Sequence, residues 1–127
     1  MKFRSIPVLF LALTIISFAG CAKKADPKKS VDEIRKEVVT MSVAQLEVTA
    51  SAYAAAIRAK KAEIQKIQSE IQKMPVDKVF NNKAMARRII EIGRDGEALF
   101  ERYRVYSKAF QEKGGDYKKI QIEPAKS

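Results

Sequence analysis

Apolar residues between Val39 and Phe110 recur in alternating steps of four and three, the spacing of a helix face that packs along a partner helix. The first seam comprises Val39, Val43, Leu46, Ala50, Tyr53, Ile57, Lys60, Ile64, Ile67, Ile71 and Met74, in which only Lys60 is polar. Upstream, Ser30-Val31-Asp32-Glu33 has capping-box spacing, a hydroxyl at the cap and a carboxylate three residues on, so a helix is expected to start there. From Ser30 no proline interrupts until Pro75, and the pattern predicts one helix over 30–74, about 66 Å long at 1.5 Å per residue. A polar connection through Asn81-Asn82 leads into a second seam, Met85, Ile89, Ile92, Gly96, Leu99, Tyr103, Tyr106 and Phe110. The second helix is expected over 82–113, ended by Gly114-Gly115.

Two seams of this kind satisfy each other if the chain folds back on itself. The expected fold is therefore all-α, a long antiparallel, coiled-coil-like hairpin over 30–115. Facing pairs then have residue numbers that add to 156 throughout, among them Ile67 with Ile89, Lys60 with Gly96, Tyr53 with Tyr103, Ala50 with Tyr106 and Leu46 with Phe110. In this register the seam lysine meets the seam glycine, and close backbone approach is the expected role of Gly96. Gly93-Arg94-Asp95-Gly96 also reads as a turn, because glycine costs up to about 1 kcal/mol in a helix interior, and a turn there would give three helices. The unbroken phase of the seam across both glycines favours the continuous arm. The tail 116–127 carries only a weak alternation at Tyr117, Ile120 and Ile122 and is expected to be extended or frayed.

A second stripe, Ile34, Val38, Met41, Gln45, Val48, Ala52, Ala55, Ala59 and Ala62, lies opposite the seam on the first helix. Small residues there admit close approach by another helix, so the stripe is a candidate surface for a homo-oligomer or an envelope protein partner. Alanine is also simply the best helix former on a solvated face. A bare two-helix hairpin buries little of its surface, which favours an oligomer or an extra packed segment.

Composition narrows the chemistry. The 127 residues contain no histidine and one cysteine, which removes most metal sites, nucleophile triads and dithiol pairs. The many carboxylates read as solvated helix faces, and no phosphate-cradling glycine loop is present. The expectation is a protein without enzymatic activity, metal, cofactor or small-molecule substrate. Charge points elsewhere: 25 Lys and Arg against 15 Asp and Glu give a net +10.

Lys2 and Arg4 precede a 14-residue apolar run, Ile6 to Ala19, which ends in small residues directly before Cys21. A transmembrane helix needs about 20 apolar residues, so the run reads as an export signal over 1–20 and not as a span. Phe18-Ala19-Gly20-Cys21 resembles the lipobox of bacterial lipoprotein precursors, with phenylalanine where leucine is preferred. The resemblance covers residues 1–21 only. It implies cleavage before Cys21 and acylation of its thiol, which places the protein in a bacterial cell envelope, lipid-anchored to the membrane. The absence of aspartate after the cysteine leans toward the periplasmic face of the outer membrane. Two or more acyl chains hold firmly where one holds only marginally.

Residues 21–29 then form a lysine-rich linker, in which Lys23, Lys24, Lys28 and Lys29 are candidates for contact with an anionic leaflet. Cleavage leaves 23 basic residues against 15 acidic ones, a net +8, so basicity survives maturation. Outside the cytoplasm nucleic acid is a poor partner, and phospholipid headgroups, lipopolysaccharide phosphates, wall polymers or an acidic protein are the plausible anions. Lys83, Arg87, Arg94, Arg104 and Lys108, with Arg58 and Lys61 on the first helix, form a candidate ridge for such a partner, and read equally as a solvated face. Murein lipoprotein is similar in being a lipid-anchored coiled coil, but its linking lysine is C-terminal whereas Lys126 is penultimate. The sequence thus points to a structural or protein-interaction module. The alternative is a chaperone-like or anionic-polymer-binding module, similar to Skp/OmpH-type periplasmic chaperones in having helical hairpin arms, basic charge and an export signal.

Overall fold

The computed structural model describes residues 25–123 and contains four α-helices: α1 (Val31–Thr40), α2 (Val43–Gln72), α3 (Val76–Asn81) and α4 (Lys83–Glu112). A single 3-10 turn, Tyr117–Lys119, follows. α2 and α4 pack along each other as the two arms of a helical hairpin. The rings of Tyr53 and Tyr106 lie 5.3 Å apart, and Lys60 Nζ lies 3.7 Å from Asp95. Numbers therefore fall on α4 as they rise on α2, so the arms are antiparallel. The two contacts have index sums of 159 and 155, which bracket the register of 156 read from the seams. α4 runs unbroken through Gly93 and Gly96, which excludes the turn and the three-helix alternative built on it.

The expected single helix over 30–74 is wrong at its N-terminal end. It breaks at Met41-Ser42, where both backbones are extended. The cause is local hydrogen bonding: the Ser42 hydroxyl accepts from Gln45 N–H at 3.2 Å, while the Gln45 side chain accepts from Ser42 N–H at 2.9 Å. Both halves of a capping box form here, whereas Ser30, at the N-cap of α1, makes no side-chain cap bond. Lys29 O accepts from Arg102, Tyr106 donates to Glu37, and Lys113 Nζ donates to the carbonyls of Val38, Val39 and Met41. α1 thus runs in the same direction as α4, opposite to α2. The Lys113 ammonium occupies the C-terminal end of α1, where otherwise unpaired carbonyls favour a cation.

Folding α1 back exchanges residues between core and solvent. Ile34, placed on the outer stripe by a straight helix, is fully buried, and Val38 and Met41 pack half-buried beside it. Val39, the first residue of the expected seam, is 73% exposed. The rest of the outer stripe stays on the surface, with Val48, Ala55, Ala59 and Ala62 exposed.

The tail also departs from expectation. Ile120 is buried in the main core, its carbonyl accepts from Tyr103 Oη at 2.9 Å, and Arg58 holds the carbonyls of Gln121 and Ile122 at 3.0 Å each. Gly114, at φ +92°, and Gly115 turn the chain with the two backbone bonds of a Schellman motif, Gly115 N–H to Phe110 O at 2.8 Å and Gly114 N–H to Gln111 O at 3.0 Å. Gly96 does not serve close approach: a Cβ built there or at Gly93 meets nothing within 4 Å.

α1, the tail and the facing halves of α2 and α4 form a compact body around Ile34, Leu46, Tyr53, Tyr103, Tyr106 and Phe110. Beyond Lys60 on α2 and before Gly96 on α4, the pair continues as a slender arm in which only Ile67 and Ile92 are buried, capped by α3 at its apex.

Candidate membrane- and partner-binding surfaces

Cys21, Lys23 and Lys24, with the whole leader, lie outside the described residues. The other two linker lysines have separate fates. Lys28 is exposed, but Lys29 is drawn into the body, where its ammonium pairs with the Glu37 carboxylate and lies 3.5 Å from Tyr106 Oη. Lys29 is therefore not a leaflet contact. The linker itself is partly folded: Asp26 N–H donates to Tyr53 Oη at 3.1 Å, and that hydroxyl donates to Asp26 O at 3.1 Å.

The five ridge residues of α4 are all exposed and fall on its outward side, opposite the seam. The fold divides them. Arg104 and Lys108 belong to the body, where they line an open groove of about 1000 Å³ between α1 and the tail. Val31, Arg35 and Val38 form one wall, Tyr117 and Ile122 the other, and Phe100 and Val105 add apolar surface from α4. Lys83 and Arg87 belong instead to the apex of the arm, with Arg94 between the two regions. On α2, Arg58 is spent on tail carbonyls and Lys61 on the Glu123 carboxylate, so neither extends the ridge. Lys60 lies between Glu63 at 3.9 Å and Asp95 at 3.7 Å, which relieves the repulsion those two carboxylates would otherwise exert.

Sequence reasoning missed the apex. The connection after Pro75 reads as polar from its asparagines, yet it contains Val76, Val79 and Phe80. α3 leaves Val76 72% and Phe80 83% exposed. The signal was the apolar triplet between Pro75 and Asn82, too short to show a period.

Two buried phenols couple the body to pH. Burial, reinforced by the neighbouring Tyr117 hydroxyl, pushes Tyr103 from the usual 10 to about 12. Tyr106 is raised as well, first by burial and then by the negative charge of Glu37, to which it donates at 3.1 Å. Both shifts favour the neutral phenol in the folded state. The Tyr103 contribution is complete below pH 10 and is lost as pH rises from there through about 12, and Tyr106 acts in the same direction. The melting temperature should fall over that window, and less steeply when both tyrosines are replaced by phenylalanine. Equal slopes in the two proteins would show that these two phenols do not couple stability to pH.

No family model, curated protein or solved structure matches the chain. Among the described residues no three metal-ligating side chains converge, and no helix is long and apolar enough to cross a membrane.

Proposed function

We propose that the chain is a non-catalytic envelope lipoprotein, anchored through lipid on Cys21, which presents its helical hairpin as a structural or protein-interaction module. The observation that carries this reading is the lipobox-like Phe18-Ala19-Gly20-Cys21, and the clip between Asp26 and Tyr53 sets how far the body would sit from the anchor. Asp26 is five residues after Cys21, so an acylated cysteine would hold the body within about 18 Å of the bilayer surface. The apex of the arm stands about 32 Å further along α2 at 1.5 Å per residue from Tyr53 to Met74. Such a layout displays the groove and the arm outward from a tethered base, and the lining of the groove, apolar with both cations and the carboxylates of Glu101 and Glu112, supports the protein-interaction part of the reading.

A Cys21→Ala variant tests the anchor. It should leave the membrane fraction and lack the mass increment of acylation. If it stays membrane-bound like the parent and the parent shows no lipid mass, the anchor is disproved. The protruding arm favours a second reading, a chaperone-like module; suppression of outer-membrane protein aggregation by the lipid-free chain would select it.

A further inference from the structure

Cations in the body are mostly engaged by the fold itself: Lys29 by Glu37, Lys61 by Glu123, Lys119 by Glu47 at 4.0 Å, and Arg58 and Lys113 by backbone carbonyls. The apex of the arm is different. Lys73, Lys78, Lys83, Arg87 and Arg88 are exposed, and their side chains make no ion pair or hydrogen bond among the described residues. Between Lys73 and Arg88 five cations accompany one carboxylate, Asp77, a net +4 on sixteen residues. The positive potential they sum to is focused on the end of the molecule.

Apolar surface protrudes from the same place. Val76 and Phe80 are one helical turn apart on α3 and are its most exposed large apolar residues. The pattern continues onto α4, where Ile90, 54% exposed, lies between Arg87 and Arg94 on the outward stripe. An exposed aromatic ring and valine amid unpaired cations match a bilayer surface, because acyl chains accommodate an inserted ring while anionic headgroups meet the cations around it.

We propose that the apex of the arm docks on an anionic lipid surface, with Phe80 and Val76 entering the headgroup boundary and the surrounding lysines and arginines contacting lipid phosphates. This contact is independent of lipid on Cys21. It lies at the end of the arm remote from Asp26, so it is a second membrane contact and not an extension of the first.

The test places an environment-sensitive fluorophore on a single cysteine in the full chain carrying Cys21→Ala. One probe replaces Val76 and a control replaces Val39, the equally exposed valine of the body. With vesicles of phosphatidylcholine and phosphatidylglycerol at about 7:3, the Val76→Cys probe should shift to the blue and resist an aqueous quencher, while the Val39→Cys probe should not. Pure phosphatidylcholine should give no shift. Raising salt to 1 M, which shortens screening from about 10 Å to about 3 Å, should reverse it. A near-surface cation contributes about fivefold to partitioning, so Lys78→Glu with Lys83→Glu should weaken binding at least about 25-fold, and Phe80→Ser should abolish quencher protection with the melting curve unchanged. Absence of a shift at position 76, an equal shift at position 39, or an equal response to pure phosphatidylcholine overturns the proposal. So does a response to soluble polyglutamate without one to anionic vesicles, since the occupant would then be an acidic protein chain. Cys21 is absent from every protein in the comparison, so failure here leaves the anchor reading intact and failure of the anchor leaves this one intact.

Discussion

Ile34→Ala should destabilise the protein by about 2–5 kcal/mol, the range for truncating a fully buried aliphatic side chain. Val39→Ala, five residues away on the same helix, should change stability by no more than about 0.5 kcal/mol because Val39 faces water. The contrast depends on the break at Met41-Ser42. In an unbroken helix over 30–74, Val39 occupies the seam and Ile34 the outer face, and the two effects exchange places. Urea denaturation of the two variants beside the parent decides between these arrangements. A larger loss for Val39→Ala than for Ile34→Ala would mean that α1 does not fold back on α4. Ser42→Ala should act in the same direction as Ile34→Ala but less strongly, since losing an N-cap hydroxyl costs about 1 kcal/mol.

The largest loss is expected at Phe110. Its ring is fully buried in the body, and Phe110→Ala should cost about 3–5 kcal/mol. Gly115 is held at glycine by that same ring, because a Cβ on Gly115 would run into three Phe110 ring atoms. The obstacle is a rigid aromatic side chain in the core, not the free end of a flexible one. Gly115→Ala should therefore cost about 1–3 kcal/mol by overpacking, against a gain of at most about 1 kcal/mol from reduced freedom of the unfolded chain. In the Phe110→Ala background the ring is gone and Gly115→Ala should add little or become favourable. The difference between the two backgrounds is the coupling. Strict additivity in thermal melts would show that ring and turn do not meet.

The parts of the fold visible in the sequence are those set by repetition. Many seam positions on each arm average over local exceptions such as Val39, Lys60 and Gly96, so the antiparallel pairing emerged, with observed contacts on either side of the expected index sum. The break in the first helix was hidden because it depends on two hydrogen bonds of Ser42 and Gln45, and Gln45 also fitted the outer stripe as a helical position. The Ser30 signal had the same spacing and did not form its side-chain bond, so spacing alone could not rank the two. The tail was illegible for a different reason: Ile120 is buried by partners some 17 and more residues away, and a short segment carries no period to announce it. Among the candidate binding residues, exposure of the α4 ridge was legible from its phase. Loss of Lys29, Arg58 and Lys61 to internal partners was not, because each partner belongs to a segment whose folding the sequence did not disclose.

The uneven distribution of burial along α2 and α4 determines how the molecule comes apart. Both ends of the described chain are clipped to the body, through Asp26 and through the carbonyls held by Arg58, whereas the arm keeps only Ile67 and Ile92 out of water. Opening free energy should therefore form a gradient, smallest at α3, rising down the arm and reaching the global value near Tyr53 and Tyr106. Amide hydrogen exchange would read this as protection that decays with distance from the body on both helices together, since neither arm can stay folded without the other. The two halves of each long helix would then belong to different cooperative units, a subdivision invisible in their unbroken backbone hydrogen bonds.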